Sequence, residues 1–414
     1  MANNLLTISM ITNEALMVLE NELTFTGRVD RNYDDQFAIV GAKIGNTVNV
    51  RRPGRFIGTT GPALNIEDFN ETSVPVTLST QFHVDTQFTT QDLALSLDMF
   101  SDRVLKPAIA AIANKIDFDG TTMAVNNTAN TVGTAGTVPS DIATFLTAQA
   151  YLDGEGAPRD GKRSCVVDPF TGASIVGSLK GLFNPQGTIS QQYEKGLMGK
   201  DTIGMNWYMD QNIVSHTYGS YSTATMSTNT ATFTGSLTTG WASTSTITIS
   251  AATANAVLKQ GDTITIANVY AVNPQNRQAY GSNKLRNFVV KSAASGTGAT
   301  FNVVVSPAVI TAGQFQNVTI PSTSSTATVN FFNKTGTVSP QNIIMHRNAF
   351  TLAVADLELP EGVHFAGRAS DKEIGLSMRV VRQYTINNDS IPTRLDVLYG
   401  WAPLYPELAC RVAA

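Results

Sequence analysis

The chain has 414 residues, with 28 Lys and Arg against 32 Asp and Glu, so charged side chains make up only 14% where about 25% is usual. A net charge of −4 supplies no attractive field for wrapping nucleic acid or gripping an anionic membrane, while 42% apolar residues suffice to bury cores in two or three domains. No apolar run approaches the roughly 20 residues that cross a bilayer, and Met1–Met10 lacks the basic start and apolar core of an export signal, so a soluble protein made in a cytoplasm is expected.

From Asn13 to Leu23, Leu16, Leu19 and Leu23 fall at helical spacing, Asn13 is placed to cap the start, and Glu14, Glu20 and Glu22 surround them. The segment reads either as a helix docked on its own core or as an acidic arm that binds a partner. Val48 and Val50, then Val74, Val76, Leu78, Phe82 and Val84, sit at strand spacing, and these runs are expected to pair. Between them Arg51-Arg52-Pro53-Gly54-Arg55, Gly58, Gly61 and Pro62 predict a long extended hairpin with a cationic tip.

Thr89 with Asp92 resembles a capping box, and Leu93, Leu97, Phe100 and Val104 followed by Ile109, Ile112 and Ile116 keep one helical face apolar, so the chain's longest helix is expected here. Pro107 predicts a kink, or a break at Lys106 with Pro107 opening a second segment. Ile142, Phe145, Gln149 and Leu152 step along a helix ending at Gly154, Ser164–Val167 reads as a strand, and 173–183 reads as another helix. Helices around strands imply a mixed α+β domain.

At Tyr218 the composition changes: 18 of the 33 residues from Tyr218 to Ser250 are Ser or Thr. Ile247 and Ile249, Ile264 and Ile266, Phe288 and Val290, and Val303 and Val305 alternate between turn signals at 260–262, 273–274 and 296–298, which predicts a small all-β barrel or sandwich. From Tyr218 to Thr337 there are six basic residues and one acid, Asp262, so this block carries +5 and the rest −9, a contrast that separates it as an insertion. After Thr337 helix-and-strand character is expected to return, with apolar strands at 378–384 and 393–399.

Chemistry-bearing patterns are scarce. His83, His216, His346 and His364 show no metal-ligand or nucleophile spacing, and Cys165 and Cys410 read as two buried thiols. Gly156-Ala-Pro-Arg-Asp-Gly161-Lys162-Arg163 has phosphate-loop spacing, but Arg163 occupies the hydroxyl's place and a helix is expected before it rather than a strand. Asp117-Phe-Asp119-Gly120 imitates the start of a calcium loop, yet Thr128 stands where a bidentate Glu belongs, so these carboxylates read as solvated helix-end groups. No catalytic residue, metal site or cofactor is expected.

Several motifs nevertheless recur together: Arg103-Val-Leu-Lys-Pro107-Ala, Ala113-Asn-Lys-Ile-Asp117, Arg163-Ser-Cys-Val-Val-Asp-Pro169, Gly261-Asp262-Thr-Ile-Thr-Ile and Tyr270-Ala-Val-Asn-Pro274. Near the end come Met378-Arg-Val-Val-Arg382, Pro392-Thr-Arg394-Leu-Asp-Val-Leu-Tyr-Gly400-Trp and Pro406-Glu-Leu-Ala-Cys-Arg411. In these motifs and their order the chain resembles the major capsid (coat) proteins of tailed double-stranded-DNA bacteriophages, of the short-tailed type that carries an inserted β-domain. The resemblance implies an α+β, HK97-like fold whose parts would be an N-terminal arm at 1–30, E-loop and first peripheral strands at 31–88, a spine helix at 89–134, and axial segments at 135–217 and 338–370. It would have the inserted barrel-like domain at 218–337 and C-terminal peripheral strands at 371–414. One departure is the insert's first third, which is nearly uncharged Ser/Thr sequence.

The function so implied is mechanical: self-assembly into hexamers and pentamers of an icosahedral shell, with a scaffolding protein, a portal protein and packaged DNA, bound without sequence specificity, as further partners. Arg51, Arg52 and Arg55 are the candidates for carboxylates on a neighbouring subunit, because guanidinium forks bind carboxylates bidentately. Glu14, Glu20 and Glu22 are candidates for a basic scaffold segment, and Lys284, Arg286 and Lys291 for contacts between capsomers. A second reading, a β-rich tail or adhesin module binding a receptor or glycan, has no use for the long helix and hairpin.

Overall fold

The computed structural model describes residues 15–17, 19, 23–31, 46–67, 71–89, 106–178, 202–220, 225–228, 233–234, 240–250, 256–280, 283–296, 300–320, 327–332, 336–371 and 376–414. They form two compact units, each assembled from separated stretches. One takes described residues of 1–50, 74–120 and 350–402, the other those of 51–73, 121–349 and 403–414.

The first unit is built on a five-stranded sheet in which Ser390–Pro403 is flanked by Phe350–Ala355 and Leu376–Arg382; Leu376–Arg382 pairs antiparallel with Ser390–Pro403 and Phe365–Asp371, and Thr80–Thr89 pairs antiparallel with Ser390–Pro403. Along Thr80–Thr89 half-buried and exposed residues alternate, as the even spacing of Phe82 and Val84 predicts. Asp396 is fully buried and receives both Nε and Nη2 of Arg379, at 3.0 and 2.6 Å, a bidentate pair across adjacent strands. At Gly400 the sheet passes so close to another segment that a Cβ would stand 2.1 Å from the Thr77 carbonyl oxygen.

Helix Lys106–Asn127 buries Ile109, Ile112, Ala113 and Ile116, the i, i+3, i+4, i+7 stripe of an amphipathic helix. Pro107 stands in the first described turn of this helix. The remainder of the expected long helix, 90–105, lies outside the described residues. Asp117 departs from the sequence reading: it is 1% exposed and accepts from the backbone N–H groups of Thr24, Phe25 and Thr26 at 2.8, 3.3 and 3.0 Å and from the Thr26 hydroxyl. A carboxyl group read as solvated is instead the anchor that holds the segment after the arm, because its two oxygens supply the lone pairs that these converging donors need. Leu16, Leu19 and Leu23 are buried, so this part of the arm's apolar face is docked. Phe25 then packs near Phe350 and Trp401, ring centroids 6.3 and 5.8 Å away.

The second unit holds two large sheets and a two-stranded pair, Ala256–Leu258 with Ala294–Gly296. A six-stranded mixed sheet runs in the order Thr131–Gly133, Ala409–Ala413, Val338–His346, Arg163–Val167, Asn206–Met209, with Ser215–Thr217 on the start of Val338–His346. Cys165, Ile344 and Cys410 are cross-strand neighbours in its core, both thiols fully buried and both raised in pKa by that burial. Helix Ile142–Gly154, capped by the Asp141 carboxylate on Ala143 N–H, lays Phe145, Ala148 and Leu152 on the same core.

The other sheet has eight strands, all between residues 225 and 331. Its central run is Thr263–Ala271, Leu285–Val290, Thr300–Ser306 and Ser245–Ser250, antiparallel throughout. Every alternating apolar residue singled out in the sequence, from Ile247 to Val305, is fully buried in one cluster. Each such side chain contributes about 1.5–3 kcal/mol relative to exposure. Gly261 takes a left-handed conformation (φ +92°) in the turn before Thr263–Ala271.

Two expectations are redrawn. Among the described residues after Thr337 no α-helix occurs, only strands and the 3₁₀ turns Arg347–Ala349 and Pro406–Leu408. The expected C-terminal block 371–414 is divided: its strands through Pro403 belong to the five-stranded sheet, whereas Ala409–Ala413 joins the six-stranded one between Val338–His346 and Thr131–Gly133.

Candidate functional site

Strands Thr47–Arg52 and Thr72–Thr77 pair as a two-stranded sheet, burying Val50 and Val76. Beyond them the backbone from Pro53 to Glu67 has no regular structure but is organised locally. The Glu67 carboxylate accepts from Ile57 and Gly58 N–H at 2.7 and 2.6 Å, and Gly58 and Gly61 supply positive φ of 69° and 128°. The tip presents Phe56, Ile57, Leu64 and Ile66 to solvent, the last two 88% and 82% exposed. Four exposed apolar residues on one tip form the kind of patch that marks an interaction surface.

The three arginines lie together at the base of this tip, each with a partner in its own chain. Arg51 pairs with Glu71 at 3.4 Å across the hairpin. Arg52 stands over the rings of Tyr405 and Trp241, 4.8 and 5.6 Å from their centroids. Arg55 reaches Glu407 at 3.8 Å and lies 5.9 Å from the Phe315 ring centroid, while Arg277 donates to the Phe56 carbonyl at 2.8 Å. The sequence suggested carboxylate partners on a neighbour, and within the chain the carboxylates are Glu71 and Glu407. Nothing local to Trp241, Phe315, Tyr405 or Glu407 announces this role.

The expected capsomer contacts separate by burial. Lys284 is exposed at the rim of a cavity of about 410 Å³ lined also by Tyr151, Gly154 and Tyr280. Arg286 is not an outward contact: it is 3% exposed and donates to Glu155, the residue that ends helix Ile142–Gly154. Desolvation pushes the Glu155 carboxyl above its ordinary range, Arg286 pulls against it, and Glu407 adds repulsion. Lys291 is partly buried, donates to Asn127 Oδ1, and is lowered in pKa by burial. Glu14, Glu20 and Glu22 lie outside the described residues.

Other buried charges fasten the second unit internally. Asp262 accepts from Gly219 and Lys259 N–H at 3.1 and 2.8 Å and pairs with His216 at 2.8 Å. Arg411, fully buried, donates to the Gly261 carbonyl at 2.9 Å and to the Thr263 hydroxyl. The phosphate-loop imitation follows a helix and precedes strand Arg163–Val167, and its Arg163 is buried against Asp153 and the Pro158 and Ala157 carbonyls. Burial raises the Asp153 carboxyl, but hydrogen bonds from Arg159 and Arg163 outweigh it and leave the group below its usual range. Among the described residues no three His, Cys, Asp or Glu side chains converge on a metal position.

A hairpin with an exposed apolar tip, buried charges used as fasteners, and a β-rich block within the second unit suit a subunit made to be tiled. A family model described as the P22 coat protein, gene protein 5, matches residues 1–411. The chain belongs to the P22 coat protein family. With that membership come the HK97-like α+β capsid fold and the role of major capsid protein in the icosahedral shell, and the tail or adhesin reading is set aside. No curated protein matches. Solved structures aligned over nearly the whole chain include one from Mycobacterium phage Che8, with 13% identity, 94% of this chain and 90% of that one covered, and a TM-score of 0.47. Others are the mature capsid of bacteriophage PhiM1, with 11% identity, 94% and 86% coverage and TM-score 0.45, and a virus-like particle from Pyrococcus furiosus, with 6%, 97% and 97%, and 0.40. The assignment rests on the family match, which spans the chain.

Proposed function

We propose that this coat protein closes into hexamers and pentamers through its hairpin, which grips an adjacent subunit, and that the shell so formed holds packaged DNA without reading its sequence. The exposed apolar tip flanked by Arg51, Arg52 and Arg55 carries this reading, because such a surface on an otherwise folded unit is stabilised only when another molecule covers it. Each contact is weak alone, and repetition over many subunits makes the shell persistent while errors remain reversible.

Assembly takes place in the bacterial host's cytoplasm, with Glu14, Glu20 and Glu22 receiving a basic segment of a scaffolding protein and a portal protein occupying one vertex. Residues 218–337 act as an inserted β-domain that stabilises the subunit, with Lys284 facing a neighbouring capsomer. No step requires bond chemistry. No helix among the described residues is long and apolar enough to cross a membrane, and none is required.

Replacing Arg51, Arg52 and Arg55 together by Gln tests the central claim. The variant loses its own contacts to Glu71, Glu407 and the Tyr405 and Trp241 rings, about 1–2 kcal/mol together, so it should still unfold cooperatively as a folded subunit yet fail to close shells under the electron microscope. Normal closed shells would remove the hairpin from the proposal.

A further inference from the structure

We propose that the surface formed by Trp241, Arg277, Phe315, Tyr405 and Glu407 is a receptor for the hairpin tip, occupied by the chain's own tip in the free subunit and by the tip of a second copy in the shell. This rests on the reading that the hairpin grips a neighbour, and adds where on that neighbour it binds.

The receptor is chemically specific. Tyr405 and Trp241 offer aromatic faces to Arg52, Glu407 offers a carboxylate to Arg55 beside the Phe315 ring, and Arg277 offers a guanidinium donor to the Phe56 carbonyl. A segment that satisfies it must carry two arginines and an accepting carbonyl a residue beyond the second, and the tip of this chain does. Charge explains why the site lies where it does. The block 218–337 holds a single acid, Asp262, which is buried on His216, so the carboxylate for an arginine comes from outside it, from Glu407 beside Tyr405.

Occupation by the chain's own tip is incomplete. Arg55 and Glu407 remain 35% and 19% exposed at 3.8 Å, a screened and loose pair, and Phe56, Ile57, Leu64 and Ile66 stay in water. A tip parked this way is readily withdrawn. Exchanging it for an identical tip from another copy keeps every receptor contact and carries the already exposed apolar residues to a new surface, the low-cost logic of swapped elements.

Full-length protein carrying Arg55→Cys and Glu407→Cys, treated with a short bismaleimide, reads the exchange directly on denaturing gels. Free subunits should give an internally linked monomer of altered mobility, and shells a ladder of covalent dimers and larger species. Wild type, whose Cys165 and Cys410 are buried, is the control. Internal links alone in shells, or no link in free subunits, overturn the inference. If shell closure still depends on the arginines in that case, the hairpin reading survives without it. Should the double variant not assemble, Glu407→Gln provides a second measurement. In free subunits it should raise the rate of tryptic cleavage after Arg55 about two- to fivefold, the range of one surface ion pair, and an unchanged rate refutes parking on this surface.

Discussion

Arg286→Met probes how the β-rich block is fastened to the rest of its unit. Both side chains of the Arg286–Glu155 pair are 4% exposed, and the pair joins strand Leu285–Val290 to the end of helix Ile142–Gly154. Removing the guanidinium leaves a carboxylate in a site that water cannot reach, with Glu407 repelling it, which should destabilise the subunit by about 3–5 kcal/mol. Adding Glu155→Leu removes the orphan and should recover most of that loss, because a buried pair exchanged for well-packed apolar groups is nearly neutral. Urea unfolding of free subunits, followed through Trp207 and Trp241, measures all three midpoints. The pH dependence has a definite sign. Without Arg286 the buried Glu155 has a folded pKa above its unfolded value of about 4.3, so stability is full below that value and is lost as pH rises through the folded pKa. The penalty should therefore be smallest in acid and complete near neutrality. A single-variant cost below about 1 kcal/mol, or a double variant as unstable as the single, would refute the argument.

Two further substitutions separate packing from charge. Gly400→Ala forces a methyl group to within 2.1 Å of the Thr77 carbonyl and should lower stability by about 1–3 kcal/mol, and an unchanged melting temperature would show that the strand yields there. Lys291→Met should be neutral or stabilising by up to about 1 kcal/mol, since burial already disfavours the cation and its partner Asn127 is neutral. Because a lowered folded pKa in a base means stability rises as pH climbs through it towards 10.5, wild type should gain on the variant between neutral and alkaline pH, and parallel urea midpoints would contradict this.

The sequence by itself determined the elements whose signal is local. Alternation at Ile247 and Ile249, Ile264 and Ile266, Phe288 and Val290, and Val303 and Val305 specifies strands with one buried face, and Ile142, Phe145, Gln149 and Leu152 step along the helix that ends at Gly154, because backbone geometry sets both periods. The hairpin and its cationic tip were legible too, since Pro53, Gly58 and Gly61 break helix and mark an irregular turn-rich stretch between two alternating runs. Only the tertiary structure decided which charges face water. Asp117, Arg286 and Arg411 look like surface residues in one dimension, yet each is buried among partners distant in sequence. Arg55 found Glu407 in the same way, and Ala409–Ala413 its place in the six-stranded sheet. A side chain's spacing is a property of its own segment, whereas the cost of desolvating its charge depends on donors and acceptors that arrive only when the chain closes on itself.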